Sequence, residues 1–156
     1  LTMFCLACPA QMGHENIGEA KPHQNEFNFV IWEGEFPEKM PADSEVTVPV
    51  TILNNGQKPW DKATDNPLLL SYHWKHPGGS FDSSMFWGVK TPLPEYVGVS
   101  ELIEIEMVIK TPAKAKYYDL IVDIVMGDSL VRDEVIWLEE LGGRTYDLRV
   151  EVVDNE

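Results

Sequence analysis

The two-residue alternation that indicates the fold is clearest in Val46-Thr47-Val48-Pro49-Val50-Thr51-Ile52. The valines and the isoleucine are β-branched and occupy every second position, so they share one face of an extended chain. This period predicts a strand with one buried face. Because proline has no N–H to donate to a ladder, Pro49 indicates that the strand lies at an edge or carries a bulge there.

Five further segments on either side of this strand show the same alternation. They are residues 27–32, 68–74, 103–109, 118–124 and 146–152. Residues 85–87 and 131–138 predict two shorter strands, and no segment keeps a helical period for ten residues. Short strands separated by Gly, Pro and Asn turns predict an all-β fold, an immunoglobulin-like antiparallel β-sandwich of about 7–9 strands.

Length and charge limit the organisation and the partners. The 156 residues suit one domain, which we place at residues 26–156 after an extended leader at residues 1–25. The formal net charge is −14, which disfavours nucleic acid and anionic membranes as partners because both require a basic face. Basic proteins, cations and neutral sugars remain compatible with this charge.

The N-terminal residues suggest a location for the protein. Residues 1–13 are almost entirely apolar and include Phe4, Cys5, Leu6 and Cys8. The two cysteines could form a local disulfide, carry a lipid after export or give half of a metal site. We expect an exported protein, periplasmic or associated with the cell envelope, in which Phe4 and Leu6 contact a membrane or a partner. An ordinary buried N-terminal segment is the alternative.

Residues 46–128 resemble a bacterial immunoglobulin-like domain family in the order and spacing of their motifs. The motifs are Asn54-Asn55-Gly56 with Trp60, Leu70-Ser71-Tyr72-His73-Trp74, Trp87-Gly88, Thr91-Pro92-Leu93-Pro94, Pro112, and Tyr118-Asp119-Leu120 with Asp123, Val125 and Gly127. The segment is also similar to the four-tryptophan β-sandwich of autophagy cargo receptors, which is a protein-docking module. The resemblance implies the fold, and an association with envelope or glycan-handling proteins. Ser129-Leu130 and Lys114 to Lys116 depart from the pattern and put ligand contacts at that end in doubt.

The tryptophans allow two interpretations. Trp60 and Trp87 could stack on a sugar, because an aromatic ring has an apolar face and a polar edge. The alternative is packing between two sheets, and the alternation that places Tyr72 and Trp74 beside Leu70 favours this structural role for them. Trp60 follows a turn and is the best candidate for an exposed ring.

Several polar side chains on the strands are further candidates. His73 falls on the face opposite Leu70, where it could bind a partner, give a pH-sensitive contact or make a structural hydrogen bond. Tyr118 precedes a strand after a proline-containing corner and resembles a tyrosine corner, which has a structural role. Asp119 and Asp123 are scattered rather than grouped in a calcium loop, which favours solvated acids.

The sequence carries no signature of catalysis. It contains no nucleophile elbow, P-loop, dinucleotide fingerprint or zinc-protease helix, and we predict no cofactor. The leading hypothesis is a non-catalytic accessory subunit that docks onto protein subunits of a larger membrane-associated or cell-envelope assembly. The alternative is a carbohydrate-binding module that uses exposed Trp60 and Trp87.

Overall fold

A computed structural model describes residues 26–64, 67–80, 86–129 and 134–155. Within these ranges the chain forms eleven strands. They are β1 (Phe29–Gly34), β2 (Lys39–Pro41), β3 (Glu45–Asn54), β4 (Trp60–Asp61), β5 (Leu68–Lys75), β6 (Thr91–Pro92), β7 (Tyr96–Val97), β8 (Leu102–Lys110), β9 (Lys116–Met126), β10 (Ile136–Trp137) and β11 (Tyr146–Val153). A 3-10 helix spans Leu138–Leu141, and no α-helix occurs in the described ranges. The all-β prediction is confirmed.

The strands form two larger sheets and one small one. A three-stranded sheet has the order β1-β3-β8, and a six-stranded sheet has the order β2-β11-β9-β5-β6 with β10 also paired to β9. The third sheet consists of the short strands β4 and β7. Every long strand falls where a two-residue alternation predicted one, because burial of one face per sheet fixes both the strand and its register.

One core is shared by the inward faces of the two larger sheets. Its largest fully buried side chains include Ile52, Met107 and Ile109 from the three-stranded sheet and Leu70, Tyr72, Tyr118, Leu120 and Ile124 from the six-stranded sheet. These residues occupy every second position of β3, β5, β8 and β9, as the sequence pattern predicts. The hydrophobic effect therefore acts on the faces that the alternation identifies.

Three predicted details are wrong. The described residues contain eleven strands rather than about 7–9, because five of them are ladders of two or three residues. The sheets are not wholly antiparallel, since β2 and β11 pair in parallel; almost the whole domain lies between them and supplies the long connection that such a pair needs. Of the residues predicted as strands at 85–87 and 131–138, Phe86 and Trp87 lie in irregular chain, and within the described residues 134–138 only Ile136–Trp137 is a strand; residues 85 and 131–133 lie outside the described ranges.

Pro49 does not mark an edge, since β3 is the central strand of its sheet. The carbonyl of Pro49 accepts a hydrogen bond from the Glu35 N–H at 3.2 Å, just beyond the last residue of β1. The nitrogen and oxygen of one strand residue point to the same side, so the missing N–H faces the place where β1 has ended. The bulge lies instead on β1, where the register shifts between Ile31 and Glu33.

No helix in the described part of the chain combines the length and the apolar character needed to cross a bilayer.

Candidate interaction surface

Trp60 is buried, so the prediction of an exposed ring is wrong. The side chain is 1% exposed and belongs to the shared core. The Asn54 amide donates hydrogen bonds to the carbonyls of Lys58 and Val97 at 3.1 and 3.2 Å, and β4 pairs with β7 through Trp60 and Val97. These contacts close the turn and direct the chain back into the core. Trp60 therefore offers no ring face to a sugar.

His73 and Trp87 lie on the outward face of the six-stranded sheet. The His73 ring is buried between the rings of Phe86 and Trp137, at centroid distances of 4.5 and 4.0 Å, and Nδ1 donates to the Phe86 carbonyl. Trp87 is half-buried and packs against a small cluster. That cluster consists of Leu69, Val125, Val135 and Trp137. Both predicted binding residues therefore help to cover this face from within the chain.

Asp123 lies on the same outward face and is fully buried, so its interpretation as a solvated acid is wrong. One carboxylate oxygen accepts the Ile124 N–H at 2.7 Å, and the other accepts the Glu139 N–H of the 3-10 helix at 3.2 Å. Burial raises the pKa of this carboxyl to about 7, against the opposing effect of the two N–H donors. Asp123 thus fixes the segment that covers the sheet.

Tyr72, Trp74 and Tyr118 are buried and bonded to the backbone. The Tyr72 hydroxyl accepts the Lys110 N–H at 2.7 Å, and the Trp74 indole N–H donates to the Lys110 carbonyl at 2.9 Å. These bonds join β5 to the end of β8, across the two larger sheets. The Tyr118 hydroxyl donates to the Lys114 carbonyl at 2.9 Å, which is the geometry of a tyrosine corner. All three contacts hold the domain together.

The outward face of the three-stranded sheet has no such cover among the described residues. Its register aligns Val30 of β1 with Leu53 of β3, and Leu53 with Leu102 of β8. Val30 is 37% exposed, Leu102 is 49% exposed, and Leu53 between them is half-buried. Trp32 lies two residues after Val30 on β1, where it is the extra residue of the bulge, and it is 60% exposed. We call the three aligned residues the apolar row.

Acidic side chains occupy the next two rows of the same face. Glu33 aligns with Thr51 of β3, which aligns with Glu104 of β8. One row further along, the backbone N–H of Glu35 donates to the carbonyl of Pro49, and Pro49 aligns with Glu106. The four glutamates are exposed and line a groove of about 230 Å³ whose floor includes Pro49 and Thr51. We call these the acidic rows.

None of these four carboxylates has a lysine or arginine within 4 Å in the described part of the chain. Lys110, in the last row of β8, instead bonds the carboxylate of Asp43 at 2.9 Å. The described residues also contain no group of three or more acidic, histidine or cysteine side chains placed to hold a metal ion. The acidic rows are therefore a uniformly negative surface beside an apolar one.

Sequence reasoning missed this face. The signal was present in residues 27–32, where Val30 and Trp32 place apolar side chains at positions that an alternating strand gives to solvent. Leu53 and Leu102 carry the same signal, but only the strand register brings them beside Val30. The predicted contact residues Phe4 and Leu6, and the cysteines Cys5 and Cys8, lie outside the described residues.

Comparison of the sequence with known proteins finds no matching family model and no similar curated protein. The resemblance to immunoglobulin-like domains therefore stays a prediction.

Proposed function

We propose that this chain is a non-catalytic interaction module that docks onto another protein through the outward face of the three-stranded sheet. The apolar row carries the proposal. Val30, Leu53 and Leu102 form one contiguous line across three strands and leave apolar area in water. A contiguous apolar area with a polar surround is typical of a protein-binding site, whereas single exposed apolar residues are not.

The chemistry of the face favours a protein over a sugar. Trp60 is buried and Trp87 is packed on its own domain, so the two rings chosen for the carbohydrate alternative do not form an open stacking surface. On the outward face of the three-stranded sheet the apolar row consists of aliphatic side chains, which offer a sugar no hydrogen bonds. Burial of apolar surface is the dominant favourable contribution in most protein–protein association.

The proposal extends to the fold and the setting of the module. Two facing sheets with one core and the Tyr118 contact to Lys114 support an immunoglobulin-like β-sandwich. We propose that the protein is exported and serves as an accessory subunit of a larger membrane-associated or cell-envelope assembly. The apolar composition of residues 1–13 supports this setting, and the net charge of −14 favours a protein surface over an anionic lipid one.

The experiment compares tagged forms of the chain purified from the native host. The face variant carries Val30→Ser and Leu102→Ser, and the matched control carries Tyr96→Ser and Tyr117→Ser, two residues that are at least as exposed but lie elsewhere. We expect a defined set of proteins to co-purify with the unchanged chain and with the control. The amount of these proteins recovered with the face variant should be roughly tenfold lower.

Recovery of the same proteins with all three forms would contradict the proposal. Retention of the chain on a polysaccharide matrix, unchanged by Leu102→Ser, would favour the carbohydrate alternative.

A further inference from the structure

We infer that the partner presents a basic, extended segment to this face, with an apolar anchor followed by lysine or arginine at every second residue. The inference rests on the proposed function and adds the chemistry and the pattern of the partner. It follows from the order of the rows on the face: the apolar row, then the row of Glu33 and Glu104, then the row of Glu35 and Glu106.

The spacing of the rows matches an extended chain. Successive rows on one face of β3 are two residues apart, which is roughly 7 Å, and the flanking strands β1 and β8 are roughly 10 Å apart across β3. An extended segment that lies along β3 repeats its side-chain directions at the same interval. An anchor on Leu53 therefore places the next two side chains of that face over Thr51 and Pro49, between the glutamates of the acidic rows.

Charge decides the nature of these two side chains. The groove has carboxylates on both sides and no cation of the described chain within 4 Å of them. Covering it with an apolar or acidic segment would remove these carboxylates from water without a partner, which is costly. Lysine or arginine side chains would supply opposite charges to both sides, and complementary charge of this kind steers association and rejects wrong partners.

The same argument disfavours two other occupants. A second copy of the chain would bring the same acidic rows and a net charge of −14 to the contact. An anionic lipid surface would be repelled for the same reason. A basic polypeptide is the occupant that the apolar row and the acidic rows favour together.

The test uses three synthetic peptides in a serine background and the whole chain. The first peptide has a leucine anchor followed by lysines at alternate positions, the second has glutamate in place of each lysine, and the third has serine in place of the leucine. We expect the first to bind in a fluorescence anisotropy titration at low salt and to weaken as salt is added. Backbone NMR should place the largest shifts on β3 and β8.

The protein variants separate this inference from the proposed function. Glu104→Gln with Glu106→Gln should weaken the lysine peptide roughly tenfold, whereas Glu38→Gln with Glu95→Gln, exposed acids elsewhere that change the net charge equally, should weaken it less than about twofold. Equal binding of the three peptides, no binding of the lysine peptide, or equal effects of the two variants would overturn the inference. Loss of native partners with Leu102→Ser but not with Glu104→Gln/Glu106→Gln would overturn it and leave the docking proposal standing.

Discussion

The outward faces of the two larger sheets arise from the same alternation but differ in what covers them. On the six-stranded sheet, His73 and Asp123 are buried beneath Trp137 and the 3-10 helix. On the three-stranded sheet, Val30 and Leu102 stay in water. The first face is completed within the chain, and His73 and Asp123 have backbone partners there. The second is incomplete in the described structure, and this difference identifies it as the candidate interaction surface.

The largest expected effect on stability comes from removing a tryptophan ring from the covered face, compared with removing one from the open face. Trp137→Ala should lower the free energy of unfolding by about 3–5 kcal/mol, because it opens a cavity over His73 and Val125. The matched change Trp32→Ala, at a ring that is 60% exposed, should change it by less than about 0.5 kcal/mol. Urea denaturation measures both. Equal losses would show that the second face is not open.

Asp123 should give the covered face a pH dependence. Its pKa is raised to about 7, so between about pH 4 and 7 the folded carboxyl keeps a proton that the unfolded one releases. The contribution of this group to the free energy of unfolding is therefore fully present below about pH 4. It falls as the pH rises towards the folded pKa of about 7, by on the order of 4 kcal/mol at most.

Asp123→Asn is the control for this dependence. The amide does not ionise, so the difference in unfolding free energy between this variant and the unchanged chain should increase, in favour of the variant, from pH 4 to pH 8. Other carboxylates titrate in both proteins and cancel in the difference. Parallel pH curves would contradict the assignment.

A smaller effect is expected at the tyrosine corner. Tyr118→Phe removes the hydroxyl that donates to the Lys114 carbonyl and should lower the free energy of unfolding by about 1 kcal/mol. Tyr117→Phe, at the exposed neighbour on the other face of β9, should leave it within about 0.5 kcal/mol. Thermal unfolding distinguishes the two variants. A loss at Tyr117 equal to that at Tyr118 would remove the special role of the hydroxyl.

The smallest effect on stability should come from the apolar row itself. Leu102→Ser should change the free energy of unfolding by less than about 0.5 kcal/mol, because about half of the side chain is already in water. The inward neighbour Ile103 is 9% exposed, and Ile103→Ser should cost several times more. Urea denaturation of the two variants compares the faces of one strand directly. A large loss at Leu102 would assign the row to the folded core.

The alternation predicted the long strands and the inward core, because every-other-residue burial depends on local sequence alone. It placed Tyr72 and Trp74 correctly beside Leu70. It did not cover Trp60, for which the position after a turn predicted an exposed ring. The Asn54 bonds to Lys58 and to Val97, which is 43 residues from Asn54 in the chain, close this turn over the core. Contacts between distant segments have no local signal.

The outward faces were harder to predict for the same reason. The aspartates Asp119 and Asp123 on one face of β9 indicate that this face is exposed to solvent. The sequence of β9 carries no signal that residues 134–141 cover it. The apolar row is likewise divided among three separate strands. Val30, Leu53 and Leu102 become neighbours only through the register of β1, β3 and β8.

The most direct test of the docking face is site-specific photo-crosslinking in the native host. A photoreactive amino acid at position 102 lies in the apolar row, and one at position 117 is equally exposed on another part of the surface. We expect a discrete crosslinked protein from position 102 and none from position 117. Crosslinks of equal yield from both positions, or from neither, would contradict a partner seated on the three-stranded sheet.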